Sequence, residues 1–205
     1  MNVTIFDYGA GNLHSLAKAL ECPGVVVRIE TDPVRAVEHG TGVLVLPGVG
    51  AFGAAAERLA PGRGAMRAAI MGGLPTIGIC LGMQLLFDGS DEGEGEGLGV
   101  IPGRVTRLRA ARVPQIGWND LDMVPGDPLF VAAPVPMVYY ANSFVCRPVD
   151  TSVVTAWTEH EGDRFPAAVR TGRAVGVQFH PEKSSTQGVR FLRALIDDAR
   201  TMEER

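Results

Sequence analysis

The stretch PTIGICLGMQLLF, residues 75–87, decides the fold that we expect for this chain. It begins with an apolar run short enough for a buried strand, and LGMQLLF then has the apolar spacing of a helix. A buried strand that passes directly into a helix is typical of a parallel sheet covered by helices. The stretch therefore predicts an α/β fold with Cys80 at the turn between strand and helix.

The rest of the first half repeats this alternation of strand and helix. Three more apolar runs predict strands, at NVTIF (2–6), VVVRI (25–29) and GVLVL (42–46). Apolar residues recur at helical spacing in AGNLHSLAKAL (10–20) and in the region that contains AAAERL and GAMRAAIM (54–71). This half predicts a mostly parallel central sheet flanked by helices.

The second half of the chain has a different character. Short β-type runs follow one another in GRVTRL, PMVYYA, SVVTAW, PAAVR and AVGVQF, which predicts a β-rich extension of the same sheet with antiparallel pairs. TQGVRFLRALIDDAR (186–200) predicts an amphipathic helix that closes the fold. The acidic, glycine-rich segment 88–99 predicts a solvated, mobile loop without a chemical role. We expect a single domain over residues 1–205.

Composition and charge narrow the classes of function. The formal net charge is −4 and there is no basic run, so small molecules or proteins are better partners than nucleic acid or an anionic membrane. No apolar run reaches the ~20 residues of a membrane-spanning helix, and the first residues lack the pattern of a signal peptide, which predicts a cytoplasmic protein. Three widely spaced cysteines, and no histidine pair at metal-ligand spacing, argue against a disulfide framework and a metal site.

Cys80 has a setting that favours chemistry as well as packing. Gly78 and Gly82 leave room for a sharp turn, which is the steric logic of the GxSxG nucleophile elbow, here with cysteine in place of serine. The N-terminus of the following helix favours a thiolate, and the N–H of Leu81 is placed to receive an oxyanion. A buried cysteine that acts as a small apolar side chain explains this motif alone equally well.

A base for such a nucleophile is suggested by AVGVQFHPEKSS, residues 174–185. After the apolar run, His180 can accept a thiol proton and Glu182 can orient the imidazole. Cys80 lies 100 positions earlier (180 − 80), but parallel strands end on the same edge of a sheet, where we expect the two residues to meet. Lys183 beside them is interpreted as a charged partner contact or as a solvated side chain.

The segment LPGVGAF, residues 46–52, is the third candidate element. Its glycines allow unusual backbone angles, so an N–H of Val49 or Gly50 can point into the same cleft as a second oxyanion donor. By itself, the segment is better explained as an ordinary glycine turn. The remaining histidines and cysteines are interpreted as structural or solvated: His14, His39, His160, Cys22 and Cys146.

Together these motifs resemble a known family, the class I, triad-type glutamine amidotransferases. GICLGMQ around the cysteine and FHPE around the histidine carry the resemblance. Further motifs extend it over residues 6–184 and are similar to the family of glutaminase subunits of imidazole glycerol phosphate synthase, an enzyme of histidine biosynthesis. These motifs are FDYGAGNLHSL, LPGVGAF, GWN, YYANSF and GVQFHPEKS.

The resemblance implies a flavodoxin-like α/β fold and roles for particular residues. Cys80, His180 and Glu182 would form a catalytic triad, and N–H groups near Leu81 and Val49 would hold the oxyanion. The glutamine-binding set would comprise Gly50, Gln84, Ser143 and Phe144. Within a heterodimer, ammonia would pass to a (β/α)₈-barrel cyclase subunit that makes imidazole glycerol phosphate and an aminoimidazole carboxamide ribotide. No cofactor or metal is implied for the glutaminase.

Other functions would use the same elements. Glutaminases that serve pyridoxal phosphate, guanylate, anthranilate or carbamoyl phosphate synthesis share the triad and differ in the ammonia acceptor. A cysteine peptidase or deglycase on a similar fold would explain the elbow, although HPE at a strand end argues against it. A non-catalytic chain that only binds a partner would leave Cys80 unreactive.

Overall fold

The computed structural model describes residues 1–9, 13–38 and 40–201 of the chain. Its strands, in chain order, are β1 (Asn2–Phe6), β2 (Val26–Glu30), β3 (Val43–Leu46), β4 (Thr76–Ile79), β5 (Gly89–Ser90), β6 (Gly103–Arg107), β7 (Gln115–Asp120), β8 (Asp122–Met123), β9 (Met137–Asn142), β10 (Phe144–Pro148), β11 (Val154–His160), β12 (Asp163–Thr171) and β13 (Ala174–Val177). Its α-helices are α1 (Leu13–Leu20), α2 (Phe52–Leu59), α3 (Arg63–Met71), α4 (Leu81–Leu85), α5 (Pro128–Ala132) and α6 (Ser185–Thr201).

An eight-stranded sheet forms the centre of the fold, in the order β2-β1-β3-β4-β13-β12-β11-β8. The strands from β2 to β13 in this order are parallel. The strands β12, β11 and β8 continue the sheet with antiparallel pairs. The predicted fold class, a mostly parallel sheet flanked by helices with an antiparallel extension, is therefore confirmed.

Two smaller sheets lie outside this central sheet. In one, β6 lies between β10 and β5, and in the other β7 pairs with β9. The prediction that GRVTRL and PMVYYA extend the central sheet is therefore wrong, although both runs are strands. The alternation of side chains identifies a strand, but its partner depends on contacts with residues far away in the sequence.

The central strands are buried because helices cover both faces of the sheet. In β3, Val43 and Val45 belong to one apolar cluster, whereas Leu44 and Leu46 belong to the cluster on the other face. The first cluster includes residues of α1 and α6, and the second includes residues of α2, α3 and α4. Strands covered in this way have continuous apolar sequences, which explains the runs from which they were predicted.

The predicted helices agree with the structure wherever it describes the chain. The helix predicted over 10–20 is confirmed from Leu13 onward, and residues 10–12 lie outside the described residues, as does His39. The helix predicted over 186–200 is confirmed as α6. Within the described ranges, none of the helices is long and apolar enough to cross a bilayer.

The acidic residues of segment 88–99 are exposed to solvent, as predicted, but the segment also has specific contacts with the rest of the fold. Part of it forms β5, and the guanidinium of Arg104 pairs with Asp91. The carboxylate of Glu92 accepts a hydrogen bond from the N–H of Phe52, the first residue of α2, at 3.0 Å. Asp91 and Glu92 therefore have specific partners that composition alone does not reveal.

Glycines allow α4 to pack directly on the sheet. A Cβ at Gly78 would lie 2.7 Å from the carbonyl carbon and oxygen of Gly82. A Cβ at Gly82 would in turn overlap the carbonyl oxygen of Leu46 on β3. A side chain at either position would push the helix away from the strand ends.

We expect Gly82→Ala to lower the free energy of unfolding by about 2–3 kcal/mol, because the overlap involves backbone that cannot move aside. Gly64→Ala in α3 is the matched control, since a Cβ there meets nothing within 4 Å. That change should raise stability by about 0.5–1 kcal/mol, since alanine favours a helix over glycine. Urea denaturation measures both effects. Wild-type stability in Gly82→Ala would contradict the close packing.

Candidate active site

Cys80 occupies the turn between β4 and α4 in a backbone conformation that is rare for a residue with a side chain. Its φ is 46° and its ψ is −102°. Two hydrogen bonds stabilise this turn: the Cys80 N–H donates to the carbonyl of Val177 on β13 at 2.6 Å, and the N–H of Gln84 donates to the Cys80 carbonyl at 3.1 Å. The geometry matches the nucleophile elbow expected from the glycine pattern.

His180 follows β13 and lies beside Cys80. Its Nδ1 is 2.8 Å from Oε1 of Glu182, and its ring lines the same cleft as Cys80. Its backbone is held as well, because its N–H donates to the carbonyl of Tyr139 at 2.9 Å and its carbonyl accepts from the Ser184 hydroxyl at 2.7 Å. The fold therefore brings together the three residues expected to form a triad.

Two opposing effects set the proton affinity of His180. Burial disfavours the charged imidazole, since the residue is only 1% exposed, but its interactions with Cys80 and Glu182 favour that form more strongly. Together they raise the pKa of His180 to about 9. The imidazole therefore carries a proton at neutral pH, and a charged imidazole stabilises a neighbouring thiolate, the reactive form of cysteine.

Segment 47–51, which joins β3 to α2, lies directly against the imidazole. A Cβ at Gly48 would lie 3.0 Å from Cε1 of His180 and 3.0 Å from the carbonyl oxygen of Ile79. Only glycine lets the chain come this close without displacing the ring. The segment predicted as the third element is therefore in contact with the triad.

Several backbone N–H groups next to Cys80 are available as donors. Among the described residues, those of Gly48, Val49 and Gly50 have no hydrogen-bond partner. Gly50 has φ +125°, a conformation that L-residues with side chains rarely adopt. Leu81 is the first residue of α4, where N–H groups have no partner within the helix. Such donors suit a developing oxyanion.

A cleft of about 270 Å³ opens beside Cys80. Eight of the nine site residues expected from the sequence line this cleft. The ninth, Glu182, lies behind His180, to whose Nδ1 its carboxylate is hydrogen-bonded. Two exposed charged side chains, Glu92 and Lys183, also line the cleft. The eight expected residues are Val49, Gly50, Cys80, Leu81, Gln84, Ser143, Phe144 and His180. The cleft therefore combines the nucleophile with one side chain of each charge.

Comparisons with known proteins decide the family. The model of the family Glutamine amidotransferase class-I matches residues 4–197. The chain is 39% identical to imidazole glycerol phosphate synthase subunit HisH of Microcystis aeruginosa, over 98% of this chain and 97% of that protein. It is 41% identical to HisH of Corynebacterium glutamicum, over 95% of this chain and 97% of that protein. The chain belongs to the class-I glutamine amidotransferases, in their HisH family.

A solved structure shows the same fold as this amidotransferase. It is described as the crystal structure of glutamine amidotransferase, has a TM-score of 0.72 and is 22% identical to this chain. The match covers 96% of this chain and 98% of that one. At this identity the likeness concerns the fold, whereas the HisH relatives establish the family.

Gln178 is a polar residue of the amidotransferase site that the sequence pattern did not identify. It is fully buried, and its Nε2 donates to Sγ of Cys80 at 3.4 Å. Its Oε1 accepts from Nε2 of Gln84 at 3.4 Å, and the same Nε2 donates to the carbonyl of Phe144 at 3.1 Å. A chain of amides thus links the nucleophile to the opposite wall of the cleft. The one polar residue in the run AVGVQF was the signal for it.

The other histidines and cysteines are placed apart from this cleft. The structure describes four of these residues, and none of the four lines the cleft: His14, His160, Cys22 and Cys146. Burial, with a smaller effect of the nearby Cys80, raises the pKa of the Cys146 thiol well above its usual value, which keeps that thiol unreactive. In the described part of the chain, there is no group of three or more His, Cys, Asp or Glu that could hold a metal ion.

We expect Glu182→Gln to lower stability more at pH 6 than at pH 10. The pKa of His180 is about 9 in the folded protein and 6.5 for a histidine without these partners, as in the unfolded chain. The charged imidazole therefore stabilises the native state fully below pH 6.5, and this stabilisation is lost as the pH rises through 9. Loss of the Glu182 carboxylate lowers the pKa of His180 in the folded protein, and each unit by which it falls removes about 1.4 kcal/mol of stability at low pH. Urea denaturation across this range measures the difference.

The control for this experiment is Glu57→Gln, which removes an exposed carboxylate of α2. It should lower stability by a similar small amount at both pH values. Parallel stability profiles for Glu182→Gln and wild type between pH 6 and 10 would contradict a charged His180 held by this carboxylate.

Proposed function

We propose that Cys80, His180 and Glu182 are the catalytic triad with which this chain hydrolyses the side-chain amide of glutamine. As a member of the HisH family, the chain is the glutaminase subunit of imidazole glycerol phosphate synthase. The observation that carries the triad is the cysteine in an elbow beside a buried imidazole whose Nδ1 is 2.8 Å from a carboxylate. In such a set the base activates the nucleophile and the carboxylate orients the base.

The reaction proceeds in two steps through a thioester. The Cys80 sulfur attacks the amide carbon of glutamine, a C–S bond forms, and N–H groups of Leu81 and Val49 stabilise the oxyanion. His180 donates its proton to the departing nitrogen, so that the C–N bond breaks and ammonia leaves. His180 then accepts a proton from water, whose oxygen attacks the thioester. Glutamate is released and the thiolate is restored beside a protonated imidazole.

The charged residues of the cleft match the two charged ends of free glutamine. The carboxylate of Glu92 is suited to pair with the α-ammonium group, and the ammonium of Lys183 with the α-carboxylate. The side-chain amide must then reach Cys80 in the same cleft. The rest of the substrate would contact the residues that the family resemblance implies: Gly50, Gln84, Ser143 and Phe144.

An exposed apolar face next to the cleft is the proposed docking site for the synthase partner. The register of β7 and β9 places six residues on one side of the pair, all of them apolar or aromatic except Asp120: Ile116, Trp118, Asp120, Met137, Tyr139 and Ala141. Ile116 is 67% exposed and Trp118 is 51% exposed, whereas Ala141 lines the cleft. Contiguous exposed apolar side chains are typical of interfaces, and an aromatic residue such as Trp118 often supplies much of the binding energy.

We infer that the partner on this face is a (β/α)₈-barrel cyclase subunit, which forms a heterodimer with this chain. Because the face reaches the cleft at Ala141, a partner bound there receives ammonia before it equilibrates with water. The cyclase would combine the ammonia with its ribotide substrate. We also propose that residues 1–205 form a single domain, supported by the family match over 4–197, and that the chain works in the cytoplasm, as suits a biosynthetic enzyme.

We expect Cys80→Ala to abolish glutamate release from glutamine, because no other group of the triad can form the thioester. Loss of His180 should also nearly abolish turnover, whereas Glu182→Gln should slow it less, since orientation and charge stabilisation are partial contributions. Glutamate release is measured with the cyclase subunit and its ribotide ligand present. Turnover by a folded Cys80→Ala variant would overturn the triad.

The same assay tests the partner. The wild-type chain alone should be close to background, and activity should rise steeply only when both the cyclase and its ligand are added. If the cyclase changes nothing while Cys80 remains essential, the triad stands and the proposed partner is wrong.

We expect Trp118→Ala to weaken binding of the cyclase subunit by about 10- to 30-fold, as for a central aromatic residue of an interface. Val149→Ala is the control, since Val149 is 80% exposed and lies outside the proposed face. Titration calorimetry measures both affinities. Equal affinities for the two variants would place the docking surface elsewhere.

A further inference from the structure

Tyr8 is a buried side chain close to the end of β1 that has no part in the triad. It is 5% exposed, and its ring packs edge-on against Phe6 with 5.9 Å between the ring centres. Its hydroxyl donates a hydrogen bond to the carbonyl oxygen of Pro47. Pro47 begins segment 47–51, which carries the proposed oxyanion donor Val49. A phenol that follows β1 thus holds the start of this segment.

The phenol of Tyr8 is a constant donor at neutral pH. Burial raises its pKa well above the usual value, and the neighbouring Cys80 and Asp7 raise it further. The hydroxyl therefore keeps its proton while the triad changes its own protonation during the reaction. The bond to Pro47 does not depend on the state of the nucleophile.

The peptide between Pro47 and Gly48 is held from two sides. On one side, the Pro47 carbonyl accepts the bond from Tyr8. On the other, Gly48 lies so close to the imidazole of His180 that a Cβ there would be 3.0 Å from Cε1. Because a peptide unit is planar and rigid, holding its carbonyl also fixes the Gly48 Cα, from which the chain continues to Val49.

The far end of segment 47–51 has an anchor of its own. The N–H of Phe52 donates to the carboxylate of Glu92 at 3.0 Å. Between the two anchors, the N–H groups of Gly48, Val49 and Gly50 have no partner among the described residues. The peptide units between the anchors are free to rotate. Tyr8 fixes the Pro47 end of the segment from which they rotate.

We propose that Tyr8 is a positioning residue for the oxyanion hole, because its hydroxyl holds Pro47 where the following N–H groups meet the oxyanion. This inference rests on the proposed glutaminase function. It predicts an effect on the attack at a carbonyl carbon, where negative charge develops on oxygen, and no effect on the reactivity of the Cys80 sulfur itself.

Tyr8→Phe, in the complex with the cyclase and its ligand, tests the proposal with two reactions. We expect kcat for glutamine hydrolysis to fall about tenfold with KM little changed, less than the ~10²-fold loss that follows removal of an entire oxyanion donor. Alkylation of Cys80 by iodoacetamide should keep its wild-type rate. In that reaction the sulfur displaces iodide from a CH₂ group, and no oxyanion forms.

Tyr140→Phe is the matched control. Tyr140 is fully buried against the rings of Phe165 and Phe179, in a different apolar cluster from the one that contains Tyr8 and against which Val49 packs. It should retain wild-type kcat and alkylation rate. Circular dichroism melting of both variants shows that each is folded at the assay temperature.

The outcomes separate the two proposals. An unchanged or increased kcat in Tyr8→Phe overturns the role of Tyr8. A fall in kcat also overturns it if the alkylation rate falls equally, or if kcat falls equally in Tyr140→Phe. If the wild-type complex itself releases no glutamate, the proposed function fails as well.

Discussion

The reversal of the chain at Cys80 is the constraint on which the rest of the site depends. A residue with a side chain is placed at positive φ, which costs about 1–3 kcal/mol unless neighbouring structure offsets it. The bond from Cys80 to Val177 and the contact of Gly82 with Leu46 hold the turn in place. The strand that supplies Val177 also leads into His180, so the contact that stabilises the strained turn also places the base beside the sulfur.

The electrostatics of the triad follow from the same closeness. A histidine this deeply buried would ordinarily be neutral, because desolvation disfavours its charged form. Here the neighbouring Glu182 and Cys80 favour the charged form, and together they outweigh burial. The imidazole of the proposed triad therefore keeps its proton at neutral pH in spite of its burial.

The sequence predicted those parts of the site that local patterns determine. The glycines around Cys80 indicated a turn, and the end of an apolar run before His180 indicated a strand edge, so the meeting of residues 100 positions apart (180 − 80) could be expected. Glu92 could not be recognised, since its acidic, glycine-rich surroundings look like solvated chain and its partner Phe52 comes from another part of the sequence. The pairing of β7 with β9 was hidden for the same reason, because a pattern of side chains identifies a strand without naming its neighbour.

The position of β13 between β4 and β12 has a consequence for biosynthesis of the enzyme. A growing chain that has emerged through residue 173 already contains Cys80 and segment 47–51, but neither His180 nor Glu182. Until β13 arrives, β4 lacks its neighbour in the middle of the sheet, and the Cys80 N–H lacks its acceptor. The site therefore remains incomplete until the last part of the chain, which supplies His180 and Glu182, has been synthesised.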